Sequence, residues 1–138
     1  MRVPSQLLQQ LVSDKRMRRN DSQTSDLRAE LSRALKADRF DQALDLYELI
    51  EKRKPDEPRW AHRKGDLLRR MGRNPEAVIA YERAVHLYSE KGFDARASAT
   101  ARLLLAIDPS KREVLDWADS EAARRCERQS RNAFELNY

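Results

Sequence analysis

Few side chains in this sequence are placed to do chemistry. The two histidines, His62 and His86, stand 24 positions apart, and neither has a second His or a Cys close by at metal-ligand spacing. Cys126 lies among Arg124, Arg125 and Arg128, whose charge favours a thiolate, but an incidental thiol on a charged helix explains it with fewer assumptions. Asp56 and Glu57 are adjacent carboxylates in a polar connection, where turn and cap chemistry accounts for them. The three glycines, Gly65, Gly72 and Gly92, form no phosphate loop and read as packing or turn residues. No catalytic residue, metal ligand or cofactor is expected, and an enzyme is the least supported class. What stands out is charge: Arg59, Arg63, Lys64, Arg69, Arg70 and Arg73 face a single acid, Asp66, between positions 59 and 73.

The elements that must carry those charges are helices. Around Met71-Gly72-Arg73-Asn74-Pro75, Gly72 suits the left-handed residue past a helix C-terminus, Asn74 an N-cap and Pro75 a first helical turn. Behind this turn, Ala77, Tyr81 and Ala84 recur at i, i+4 and i+7, a face able to lie against Gly65 and Leu68 of the preceding helix. The unit is a helical hairpin. Moved back by 34 residues, Ala77, Tyr81, Glu82 and Arg73 fall on Ala43, Tyr47, Glu48 and Arg39. A third copy follows after 20 residues, Gly72 and Ala77 mapping onto Gly92 and Ala97, so the helix from Pro75 to Lys91 serves two hairpins.

These residues resemble the tetratricopeptide repeat family, whose pattern runs W-x2-L-G-x2-Y, then A-x3-F, then P. Ala61, Lys64, Gly65 and Leu68 followed by Ala77-x3-Tyr81 make one repeat; Leu27, Glu30, Leu31 and Ala34 followed by Ala43-x3-Tyr47 and Pro55 make another. The third has Ala97 and Pro109, with Ala101 where an aromatic is usual; neither tryptophan sits on the consensus position. The resemblance spans roughly Ser25 to Asp119 and implies an all-α stack of antiparallel hairpins, about six helices in three repeats, of the kind found in small bacterial adaptors. It further implies that the first helix of each repeat lines a groove for a partner's peptide or helix. By position that groove shows Arg28, Ser32, Lys36, Arg59, His62, Asp66, Arg69 and Arg70. Arginines of this kind hold carboxylates through paired hydrogen bonds, so an acidic or C-terminal peptide segment is the expected ligand. The groove side of the first and third helices has no asparagine, which speaks against the carboxylate grip some family members apply to chaperones.

Helices are expected at about 25–37, 39–53, 59–71, 75–91 and 93–107, with Asp38 as N-cap of the second and Leu27, Leu31, Ala34, Leu35, Phe40, Ala43, Leu44, Tyr47 and Ile50 inward in the first two. A sixth opens on the capping box Ser110-Lys111-Arg112-Glu113, has an apolar side of Val114, Leu115, Trp117, Ala118 and Ala122, and turns nearly all polar from Glu121 on apart from its alanines, as an end-capping helix should. Residues 1–24 form a basic leader and linker. Within it, Pro4 to Arg19 carries Leu7, Leu8, Leu11 and Val12 at helical spacing, then Lys15, Arg16, Arg18 and Arg19, while Asn20 to Thr24 reads as a polar linker. A frayed segment, docking on the repeats, capture by a partner and an interfacial lipid anchor are the open readings of the leader. Residues 25–126 form the repeat domain. In the tail, 127–138, Phe134, Leu136 and Tyr138 could wave free, fold back or pair two subunits as a homodimer.

The chain has 138 residues, 40% hydrophobic and 37% charged, enough for one domain with a real core and heavily charged outer faces. No run approaches the ~18 apolar residues of a membrane span, and the first residues lack a signal-peptide pattern, so a cytoplasmic location is expected. One cysteine cannot form an internal disulfide, which agrees with a reducing compartment. Of the net charge of +5, residues 1–25 hold five basic against two acidic groups. Three function classes follow: an adaptor binding a partner's acidic segment, electrostatic nucleic-acid binding through the leader and Arg59–Arg73, and a chaperone for a secreted protein.

Overall fold

The computed structural model describes residues 5–136. All regular structure in it is helical: α1 (Ser5–Lys36), α2 (Phe40–Arg53), α3 (Pro58–Arg70), α4 (Asn74–Glu90), α5 (Asp94–Ile107), a single 3-10 turn at Pro109–Lys111, and α6 (Arg112–Leu136). Contacts divide the chain into two compact units between Lys54 and Pro55.

In the first unit, α1 and α2 form a hairpin, with Leu31 and Ala34 of α1 and Ala43, Leu44, Leu46, Tyr47 and Ile50 of α2 buried. The expected linker at Asn20–Thr24 is instead part of α1, which runs through it without a break. That stretch has no Gly or Pro to stop a helix, and the end of α2 braces it: Arg53 Nη1 donates to Gln23 Oε1 at 2.6 Å, and Lys54 Nζ lies 3.4 Å from Asp21 Oδ1. Thr24 is buried there. The boundary between residues 24 and 25 thus falls inside a helix, as does that between 126 and 127 in α6.

In the second unit α4 packs against both α3 and α5, and α6 closes on α5 and α4. Eight of its side chains, among them Ala77, Tyr81, Ala84, Val85 and Tyr88, are buried, which is how one helix serves two hairpins. Ser98 Oγ donates to Asp119 Oδ1 at 2.7 Å between α5 and α6. Arg125 Nη2 donates to the Ser89 carbonyl at 2.5 Å, and its Nε lies 3.4 Å from Asp94, so one α6 side chain holds the end of α4 and the start of α5.

The three hairpin turns share one hydrogen-bond scheme. Arg39, Arg73 and Phe93 each donate their backbone N–H five residues back, to Ala34, Leu68 and Tyr88 at 2.9 Å. The residue before each of them is left-handed, with φ of 55° at Asp38, 77° at Gly72 and 79° at Gly92. The carbonyls of Arg39, Arg73 and Phe93 then accept from Ala43, Ala77 and Ala97, so a single residue closes one helix and caps the next. Two expectations are corrected by this scheme. Asp38 is not an N-cap but stands where the other turns have glycine, and Asn74 is the first residue of α4 while Arg73 is its cap. The Arg73 guanidinium binds both Glu76 oxygens, at 2.9 and 2.6 Å. A non-glycine residue in left-handed backbone is strained, so Asp38→Gly should stabilise the first unit by about 0.5–1 kcal/mol. Urea unfolding would show it; no gain would mean that the Asp38 side chain compensates its own backbone.

The capping box at Ser110 is also replaced. Asp108 accepts from the Ser110 N–H at 3.1 Å and from its hydroxyl at 2.6 Å, because Pro109 starts a 3-10 turn one residue earlier. Those two bonds hold the Asp108 carboxyl below the usual carboxylate range. Beyond it α6 continues to Leu136, since nothing from Glu121 onward breaks a helix, and Phe134 and Leu136 stay exposed rather than folding back. Tyr138, read with them as part of a tail, lies outside the described residues, as does Pro4.

Candidate functional site

The second unit gathers polar groups where α3, α4 and α5 meet. Gly65 on α3 lets the Tyr81 ring come so close that a Cβ there would stand 2.8 Å from two ring carbons. This approach carries the Tyr81 hydroxyl to Asp66, to which it donates at 2.5 Å. Burial, then the Asp66 bond, raise the Tyr81 phenol far above its ordinary value, so it acts as a fixed donor. His62, one turn earlier on α3, meets the rings of Tyr81 and Tyr88 edge-on, with centroids 5.8 and 5.9 Å away. Its Nδ1 lies 3.1 Å from Tyr88 Oη and 3.5 Å from Thr100 Oγ1 of α5, and its Nε2 lies 3.7 Å from Asp66. Thr100 is itself buried and donates to the Arg96 carbonyl at 2.7 Å.

Cations surround this cluster. Burial pushes the Tyr88 phenol up, while Arg96 from α5 and Arg63 from α3 pull it down through their proximity. Arg69 acts in the same sense on Tyr81 through its charge. Arg63, Arg69 and Arg96 are exposed, and no described carboxylate forms an ion pair with any of them. Asp66, the acid among them, is already engaged by Tyr81 and His62. The face therefore has a surplus of positive charge beside two phenol hydroxyls, an arrangement that can hold an anion by charge-assisted hydrogen bonds.

Of the residues expected in a groove, His62, Asp66 and Arg69 are brought together here. Arg59 and Arg70 are exposed on the same helix, but Arg59 is occupied: its guanidinium pairs with Glu57 at 3.0 Å and lies 4.7 Å over the Trp60 ring. Arg28, Ser32 and Lys36 belong to the other unit, exposed at four-residue spacing along one stripe of α1. Sequence reasoning missed Arg96 and Thr100, whose only signal is a polar pair four apart beside the buried Ala97 and Ala101. It also missed Trp60 as a core residue. Trp60 is 1% exposed and donates its indole N–H to Glu57 at 2.8 Å; with Leu67 and Leu68 it makes an i, i+7, i+8 apolar stripe.

Among the described residues no group of three His, Cys, Asp or Glu side chains is positioned to hold a metal ion. No described helix is long and apolar enough to cross a membrane.

Repeated helical hairpins with a shared turn scheme, joined where α4 packs on two neighbours, define a helical-repeat protein. Residues 28–95 match the family model described as tetratricopeptide repeat, and over those residues the chain is a tetratricopeptide repeat protein. The match begins within α1 and ends just after the third hairpin turn, so the shared helix lies wholly inside it. Comparison with curated proteins finds no match. Tetratricopeptide repeats generally mediate protein–protein interaction and are typically non-enzymatic modules.

Proposed function

We propose that the chain is a non-enzymatic adaptor whose second unit binds an acidic segment of a partner protein on the face made by α3 and α5. The observation that supports this is the set of three arginines, Arg63, Arg69 and Arg96, placed around the Tyr81 and Tyr88 hydroxyls with Asp66 already engaged. Each guanidinium offers a planar fork of donors that fits a carboxylate, while the Tyr81 hydroxyl spends its one proton on Asp66 and leaves recognition to the arginines. Arg59 and Arg70 extend the charge along α3, while Arg28, Ser32 and Lys36 belong to the first unit.

The test uses the full chain and a fluorescent Asp/Glu-rich peptide, followed by anisotropy at moderate salt. Arg69→Glu combined with Arg96→Glu should weaken binding by about two orders of magnitude or more, since each change replaces an attraction by a repulsion. His62→Gln should leave most of the affinity. Unchanged affinity in the double variant would remove this face from the proposal. Duplex DNA or RNA in place of the peptide tests the nucleic-acid reading, which requires retention that collapses steeply with salt.

A further inference from the structure

The first half of α1 carries a second surface. The end of α2 braces α1 at Asp21–Gln23, so Ser5–Arg19 extends beyond its own hairpin by about 22 Å at the helical rise per residue. Leu7, Leu8, Leu11 and Val12 on this overhang are about half exposed, 49–54%.

The order of residues along this face decides what can cover it. At about 100° per residue, Leu7, Leu11, Lys15 and Arg18 fall within a sector of about 80°, with Leu8, Val12 and Arg19 beside them. Apolar turns and cationic turns therefore follow one another on the same face instead of occupying opposite faces. A helix lying in a bilayer surface needs the opposite pattern, an apolar face along its whole length with cations on its flanks; here Lys15 and Arg18 would be driven into hydrocarbon. A second copy fits no better. Parallel pairing sets the Lys15–Arg19 turns of both chains against each other, and antiparallel pairing on the leucines leaves both without counter-charge.

We infer that this overhang docks a helix of a protein partner with two apolar turns followed, on the same face, by two turns bearing Asp or Glu. The apolar turns cover Leu7 to Val12, and the acidic turns answer the four cations from Lys15 to Arg19, whose nearest acids in sequence are Asp14 and Asp21, the latter already beside Lys54. This surface is independent of the α3–α5 face, so either can fail without the other.

The probe is a synthetic helical peptide with leucines through two turns and glutamates through the next two on one face, made in both orders. Its control has the same composition with the glutamates moved to the opposite face. Titrated into the full chain, the matched peptide in one order should bind about tenfold more tightly than the control. Leu8→Asp, or Arg16→Glu with Arg19→Glu, should abolish that preference; Leu8→Ala, which keeps helix propensity, should weaken it in part. Equal binding of both peptides, or none by the matched one, overturns the inference. So does sedimentation with phosphatidylserine vesicles that is lost in Leu8→Asp while the matched peptide shows no preference. A concentration-dependent dimer mass abolished by Leu8→Asp overturns it in favour of a second copy.

Discussion

Replacing Gly65 by alanine should lower the stability of the second unit by about 2 kcal/mol, although alanine is the better helix former by about 1 kcal/mol. The new Cβ would stand 2.8 Å from Cδ1 and Cε1 and 3.1 Å from Cγ of Tyr81. That ring cannot retreat: it has no exposed surface, His62 meets it edge-on, and its hydroxyl is tied to Asp66. The clash is therefore relieved by moving α3 away from α4, which loosens contacts along the whole hairpin. A smaller neighbour should reverse the sign. In a Tyr81→Leu background, Gly65→Ala should be neutral or stabilising, so the two changes are strongly non-additive. Urea unfolding of the four chains gives the cycle, and a stabilising Gly65→Ala in the wild-type background would show that the approach of the ring is not what glycine serves.

Trp60→Ala should have the largest effect of any single side-chain truncation, about 3–5 kcal/mol, because it empties the largest fully buried side chain in the core. Two controls separate volume from polarity. Trp60→Phe keeps most of the apolar contact and drops the indole bond to Glu57, which should cost about 1–2 kcal/mol. Trp117, half-buried and 4.3 Å from the exposed His86 ring, should cost less than Trp60 when truncated, about 1–2 kcal/mol. Shifts in the urea midpoint measure all three, and equal costs for the two tryptophans would remove Trp60 from its place as anchor. Arg59 and Arg63 lie 4.7 and 5.5 Å from the Trp60 ring, so its loss should also remove a cation–π contact from each, with Arg59 still paired to Glu57.

Much of this architecture was legible before any coordinates. The 34-residue period carried the first two hairpins, since Ala43 and Ala77 each sit four residues after the turn residue that caps their helix, as does Ala97 after the shorter interval, and all three are buried. The double duty of α4 could be read from the shortened interval of 20. Turn chemistry was only half legible. Gly72 and Gly92 announce left-handed backbone by residue type, whereas Asp38 in the same geometry looks like a helix start, since aspartate favours both. The extra helix through Asn20–Thr24 could not be seen, because its support comes from Arg53 and Lys54, some 30 residues away.

The site divides along the same line. His62, Asp66 and Arg69 share one helix, so their spacing alone places them together. Arg96, Thr100 and the Tyr88 hydroxyl join them only through the packing of α5 on α4, which no local pattern encodes. The basic run suggested Arg59 as a binding residue, but its capture by Glu57 and Trp60 depends on a side-chain geometry that composition cannot express.

The turns at Arg39, Arg73 and Phe93 leave no slack in the chain. Each residue terminates one hydrogen-bond ladder and starts the next, so adding or removing a single position there would rotate the following helix by about 100° and present the wrong side chains to its neighbour. Length variation is thus better tolerated at Lys54–Glu57, where Lys54 closes α2 and a different residue, Glu57, precedes α3, than at Asp108, which closes α5 and caps the next turn itself. In evolutionary terms the hairpin is a cassette: it can be copied or lost whole, and the join between Lys54 and Pro55, not the turns, is where natural grafting of a repeat could take place without changing its internal register.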